Sequence, residues 1–74
     1  MPAIFRLSGP LKDITGGQKQ YTVEANRTVR EILVLLGIEP LTVALVVVNT
    51  LHEDKDYVIQ DGDEVMVMSV IGGG

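Results

Sequence analysis

Only one stretch of this chain carries a helical period, and segments that alternate like strands bracket it on both sides. Val29, Ile32, Leu33 and Leu36 fall at i, i+3, i+4 and i+7, which places them on one apolar face. Just ahead of them, Thr28-Val29-Arg30-Glu31 has the form of a capping box, in which the Thr hydroxyl and the Glu carboxylate satisfy backbone N–H groups at a helix start. Gly37 follows where a left-handed C-terminal cap is needed. A lone amphipathic helix has no second helix to pack on, so its apolar face must cover a sheet.

The flanking segments supply that sheet. Ala3-Ile4-Phe5-Arg6-Leu7 alternates, with Ala3, Phe5 and Leu7 on one face and Ile4 and Arg6 on the other; Gly9-Pro10 ends it. Gln20 to Ala25 alternates again, with Tyr21, Val23 and Ala25 inward, and reads as the partner of the first strand. Val43 to Val48 is β-branched without clean alternation, which predicts a central strand buried on much of both faces. Asn49-Thr50 reads as a turn, and Asp61-Gly62-Asp63 as another that enters a last strand. The resulting ββαββ string predicts an α+β fold of the β-grasp, ubiquitin-like kind: a mixed sheet with one main helix on one face. Residues 1–71 make the domain, and 72–74 a flexible glycine tail.

Size and composition narrow the function. With 74 residues the chain is one small domain that buries only about 60% of its unfolded surface, which argues against a large enclosed active site. Its 46% hydrophobic content is too high for intrinsic disorder. The absence of cysteine excludes a disulfide framework, thiolate metal ligands and a cysteine nucleophile, so any sulfur chemistry uses another protein's thiol. The longest apolar run, Leu41 to Val48 and interrupted by Thr42, is far shorter than the roughly 20 residues of a membrane span. With no signal-like core after Met1-Pro2-Ala3, a soluble cytoplasmic protein without membrane contact is expected. A net charge of −4 with six scattered Lys and Arg argues against nucleic acid and for a basic protein surface as partner.

Candidate catalytic groups are few. His52 stands alone beside the predicted turn and reads as a solvated residue. Gly16-Gly17-Gln18-Lys19 lacks the full phosphate-loop pattern and reads as a hairpin turn. Glu53, Asp54, Asp56, Asp61, Asp63 and Glu64 do not have calcium-loop spacing, since Val58 and Ile59 occupy its fifth and sixth positions; they read as a solvated face that steers a basic partner. No metal site is expected.

The remaining candidate is Gly72-Gly73-Gly74, straight after the β-forming run Val65 to Ile71. A tail without side chains threads a channel closed to other residues and delivers the Gly74 carboxylate to a partner's active site. A frayed end or an expression remnant is the alternative reading.

Asp61-Gly62-Asp63-Glu64-Val65 entering a strand that ends in Gly73-Gly74 resembles the ThiS/MoaD family of ubiquitin-like sulfur carriers. Gly9-Pro10-Leu11 and Thr28-Val29-Arg30-Glu31 are similar to the MoaD side of that family, so the resemblance covers nearly the whole chain. Asn49-Thr50 departs from it, because an Asn-Gly turn is usual there, and Gly72 is an extra glycine. The resemblance implies a carrier rather than an enzyme. No cofactor is bound; an adenylating enzyme of the ubiquitin-activating type uses ATP and Mg²⁺ to activate the terminal carboxylate. A cysteine desulfurase or rhodanese-like donor then supplies sulfur, leaving a thiocarboxylate on Gly74 that an acceptor synthase consumes. The product could be thiamin thiazole, molybdopterin, a thiolated tRNA base or a sulfur-containing amino acid. A ubiquitin-like modifier joined through Gly74 to lysine, and a non-catalytic interaction module, are the alternatives.

If Val65 and Val67 face the helix, alternation puts Glu64, Met66, Met68 and Val70 on the open side of the sheet, with Ile71 leading into the tail. Methionine adapts to several partners in turn, so these residues are read as the partner-binding surface. Burial of Met66 and Met68 in an ordinary core is the alternative.

Overall fold

The computed structural model describes residues 2–8, 11 and 16–69. Strands β1 (Ala3–Leu7) and β2 (Gln20–Val23) come first, followed by helix α1 (Val29–Leu35). A 3₁₀ turn over Pro40–Thr42 leads into β3 (Val43–Val48), β4 (Leu51–Glu53) and β5 (Glu64–Ser69). The sheet order is β2-β1-β5-β3-β4, so the last strand fills the centre. It runs parallel to β1 and antiparallel to β3, while each outer pair is an antiparallel hairpin.

Helix α1 begins and ends as its sequence dictates. Glu31 N–H donates to Thr28 Oγ1 at 3.1 Å, and Thr28 N–H donates to Glu31 Oε1 at 3.1 Å, completing the capping box. At the other end Ile38 N–H reaches Leu33 O (2.9 Å) and Gly37 N–H reaches Val34 O (3.0 Å), with Gly37 at φ +80°. That is a Schellman motif, and the positive φ explains why glycine stands there. The two N–H groups that open the helix are not left to water: Val29 N–H donates to Tyr57 O (3.1 Å) and Arg30 N–H to Lys55 O (2.9 Å). The connector between β4 and β5 therefore lies across the helix start.

One core joins helix and sheet. Val29, Ile32 and Leu33 pack over Ala3, Phe5 and Leu7 of β1, Val65 and Val67 of β5, and Val43, Val46 and Val48 of β3. Tyr21, Val23 and Leu36 pack against it, half-buried.

Three expectations need correction. The sheet has five strands, not four, because Leu51–Glu53 forms β4. Three residues carry too little alternation to register in sequence. His52 accordingly sits in a strand, paired with Val47 and exposed, instead of in a turn. Lastly, β3 is not buried on both faces. Its register with β5 slips between Val43 and Leu45, a β-bulge that turns Val43, Val46 and Val48 all into the core, leaving Ala44 exposed and Leu45 and Val47 half-buried. The missing alternation in the sequence is the signature of that bulge.

The β3–β4 turn carries strain. Asn49 at φ 50° and Thr50 at φ 72° both occupy the left-handed region, as a two-residue turn with two positive φ values demands. Asn tolerates this, but a β-branched residue there is an outlier. Thr50→Gly should relieve about 1 kcal/mol of backbone strain. Thermal unfolding of the variant should show a Tm higher by about 4–8 °C.

Candidate functional site

Val70, Ile71 and the glycines Gly72, Gly73 and Gly74 lie outside the described residues; what the structure shows is the platform from which they continue. Glu64, Met66 and Met68 sit on the face of β5 turned away from α1, with Glu64 exposed and both methionines half-buried. Cross-strand register aligns their neighbours. Arg6 pairs with Met66, which pairs in turn with Val47; Ile4 lies beside Glu64 and Leu45 beside Met68. The helix-free face is thus a shallow apolar strip, Leu45, Met68, Val47 and Met66, with one cation set into it. The methionines are neither fully exposed nor core, because neighbouring strands shield their stems while no second layer of the described residues covers them.

The opposite end of β5 is fixed by a buried carboxylate. Asp63 is only 6% exposed, so it does not belong to a solvated acidic face as its sequence context suggests. Its Oδ1 accepts from Asn49 Nδ2 at 2.7 Å, and its Oδ2 accepts from the Tyr57 hydroxyl at 2.7 Å and from Gln60 N–H at 2.8 Å. Asn49 completes the circuit: its Oδ1 accepts from Glu64 N–H (2.9 Å) and its own N–H donates to Glu64 O (2.9 Å). The Asp63 carbonyl takes the N–H of Ile4 at 2.8 Å. Three segments converge on one residue: the β3–β4 turn, the connector before β5, and β1.

Burial pushes the Asp63 carboxyl upward, but the hydrogen bonds from Tyr57, Gln60 and Asn49 outweigh it, so it titrates below the ordinary carboxylate range. The same contact raises the Tyr57 phenol to about 12, through its hydrogen bond to Asp63 first and then burial. Sequence reading missed this network. The signal was there in a tyrosine placed among acids and an asparagine at a turn, but neither says that the carboxylate points inward. Among the described residues no cluster of three or more His, Asp or Glu side chains is placed to hold a metal. No helix among them is long and apolar enough to cross a membrane.

The model of the ThiS family matches residues 5–74. The chain belongs to the ThiS family. A comparison with curated protein sequences found no match. Among solved structures, the fold of this ThiS family chain is similar to SAMP1 from Haloferax volcanii, with a TM-score of 0.69 and 19% identity over 100% of both chains. It is similar to Urm1 from Trypanosoma brucei, with a TM-score of 0.68 and 20% identity over 99% of this chain and 95% of that one. A chain in the complex of subunits 1 and 2 of the molybdopterin-converting factor from Helicobacter pylori matches at a TM-score of 0.63 and 21% identity, over 100% of both. The five-stranded sheet with helix α1 on one face is the ubiquitin-like β-grasp of these proteins. ThiS family members are small carrier proteins rather than catalysts.

The Asp63 network sets a pH dependence. A lowered carboxyl pKa contributes stability that is fully present above the unfolded value of about 3.9 and is lost as pH falls through the folded one. Asp63→Asn, which cannot accept all three hydrogen bonds, should cost about 2–3 kcal/mol near neutral pH. Urea unfolding from neutral to acid should show the gap between variant and wild type shrinking as pH falls. At the alkaline end the raised phenol favours the folded state up to about pH 10, and that contribution is lost as pH climbs toward the Tyr57 value of about 12.

Proposed function

We propose that this chain carries sulfur on the Gly74 carboxyl group. Supporting the reading is the placement of β5, the strand that leads to the tail, between β1 and β3 at the centre of a sheet whose helix-free face is only partly covered among the described residues. A rigid platform therefore stands directly behind the tail. The five residues after Ser69 reach at most about 17 Å when fully extended, so an enzyme acting on Gly74 must lie against the platform itself. Glu64, Met66, Met68, Val70 and Ile71 form the contact surface in this reading, and Gly72 and Gly73 give the clearance.

A carboxylate is ionised at neutral pH and resists nucleophiles, so it must first be activated. An adenylating partner of the ubiquitin-activating type, using its own ATP and Mg²⁺, converts the Gly74 carboxylate to an acyl-adenylate with release of pyrophosphate. A persulfide sulfur from a cysteine desulfurase or rhodanese-like donor attacks the carbonyl carbon and AMP leaves. Reductive cleavage of the resulting acyl disulfide by a thiol of the partner frees the thiocarboxylate. An acceptor synthase then takes the sulfur, for thiamin thiazole, molybdopterin or tRNA thiolation. The Helicobacter pylori complex named for two subunits of the molybdopterin-converting factor supports a synthase subunit as one such partner.

Incubation with the adenylating enzyme, ATP, a persulfide donor and a thiol reductant should add to the intact chain the mass of one oxygen-to-sulfur exchange. Tandem mass spectrometry should place it on Gly74. Isopeptide-linked Gly74 in digests of target proteins, without that exchange, would favour the modifier reading instead. Gly73→Val should leave the Tm unchanged and abolish adenylation, because a branched side chain blocks the threaded tail.

A further inference from the structure

Among the described residues, the helix-free face carries one unsatisfied buried side-chain atom. Arg6, near the end of β1, is flanked in the sheet by Gln20 of β2 on one side and Met66 of β5 on the other. Its Nε is shielded from solvent and has no hydrogen-bond partner. A buried N–H left in that state costs free energy, and such atoms are rare in folded proteins. The nearest acid does not satisfy it: Arg6 Nη1 stands 3.9 Å from Glu64 Oε1, beyond hydrogen-bond reach, in a pair with both side chains about half exposed. A surface pair of this kind holds neither group firmly. The Arg6 guanidinium also forms the shared wall of two depressions. One runs toward the β3–β4 turn past Val47 and Glu64, and the other toward β2 past Ser8 and Lys19, with Met66 common to both.

Charge on this face contrasts with the rest of the chain. The whole sequence carries −4 and suggests a basic partner. Yet Glu53, Asp54 and Asp56 line a separate depression beside Arg30, and Asp61 lines another beside β2 and Pro2. Glu64 is the one acid among the residues lining the two depressions at Arg6, against the cations Arg6 and Lys19. The apolar strip thus has a cationic centre whose planar fork is half used. Such a fork is matched by a carboxylate, which accepts two parallel N–H bonds.

We propose, resting on the carrier reading above, that Arg6 is the anchor by which the adenylating enzyme recognises this chain, through an Asp or Glu carboxylate that the enzyme presents among apolar side chains. Docking seats that carboxylate on the half-exposed Arg6 side chain between the two depressions, and covers Met66 and Val47. The long-range charge of the chain brings the enzyme in, and the local charge sets where it lands. Recognition at Arg6 is therefore opposite in sign to what the net charge indicates.

The test is carrier-dependent ATP–pyrophosphate exchange with the adenylating enzyme of the same organism. Arg6→Gln should raise KM for the carrier at least about tenfold, the scale for removing one partner of a desolvated charge pair, and leave kcat nearly unchanged. Arg6→Lys should recover part of the loss. Arg6→Met, an apolar replacement suited to the strip, should behave like Arg6→Gln with an unchanged Tm, which separates lost recognition from lost folding. Added salt should raise KM more steeply for wild type than for Arg6→Met. A KM for Arg6→Gln and Arg6→Met equal to or below that of wild type overturns the anchor while leaving the carrier reading intact. Absence of exchange with the wild-type chain overturns both.

Discussion

The Asp63 carboxylate is the interaction on which the arrangement of this small domain depends. Its side chain and backbone hold the β3–β4 turn through Asn49, the connector through Tyr57 and Gln60, and the first strand through Ile4 N–H. The connector in turn closes the N-terminus of α1 with the carbonyls of Lys55 and Tyr57. A domain of this size has a marginal apolar core. One fully satisfied buried charge then fixes which of several compatible packings is adopted, at the desolvation cost that any buried ion carries. The residue beside it begins the strand from which the tail departs, so the geometry at one end of β5 is set by the lock at the other.

The two faces of the sheet have divided the labour. The helix side holds Phe5, Val65 and Val67 with no exposed area. The other side is left with half-buried Met66, Met68, Leu45 and Val47. Methionine suits such a surface because its unbranched, polarisable side chain repacks against differing shapes. In the proposed carrier role, one surface meets an activating enzyme, a sulfur donor and an acceptor in turn.

Much of this was legible in the residues. The capping box at Thr28 and the glycine cap at Gly37 fixed α1 to within a residue, since both are local chemistry that tertiary contacts seldom override. Strand β1 and the inward set Ala3, Phe5 and Leu7 followed from period two. Other features depend on contacts distant in sequence and could not be read this way. The bulge at Ala44 shows only as missing alternation, β4 is too short to alternate, and the inward turn of Asp63 rests on partners three to fourteen residues away. The unsatisfied Arg6 Nε is likewise a property of the assembled sheet, for the sequence shows only a cation on an alternating strand.

The parallel pairing of β1 with β5 joins Ile4 to Glu64 across almost the entire chain. Without β5, what remains is two hairpins with no shared edge, because every contact between them in the sheet passes through that strand. Contacts of such high sequence separation form late and slowly. During synthesis the core therefore stays open until the ribosome has released the strand that precedes the glycines. A chain cut short before β5 has no sheet to complete, and quality-control proteases meet it unfolded. Folding itself then inspects each molecule: only a polypeptide made through β5 can complete the sheet.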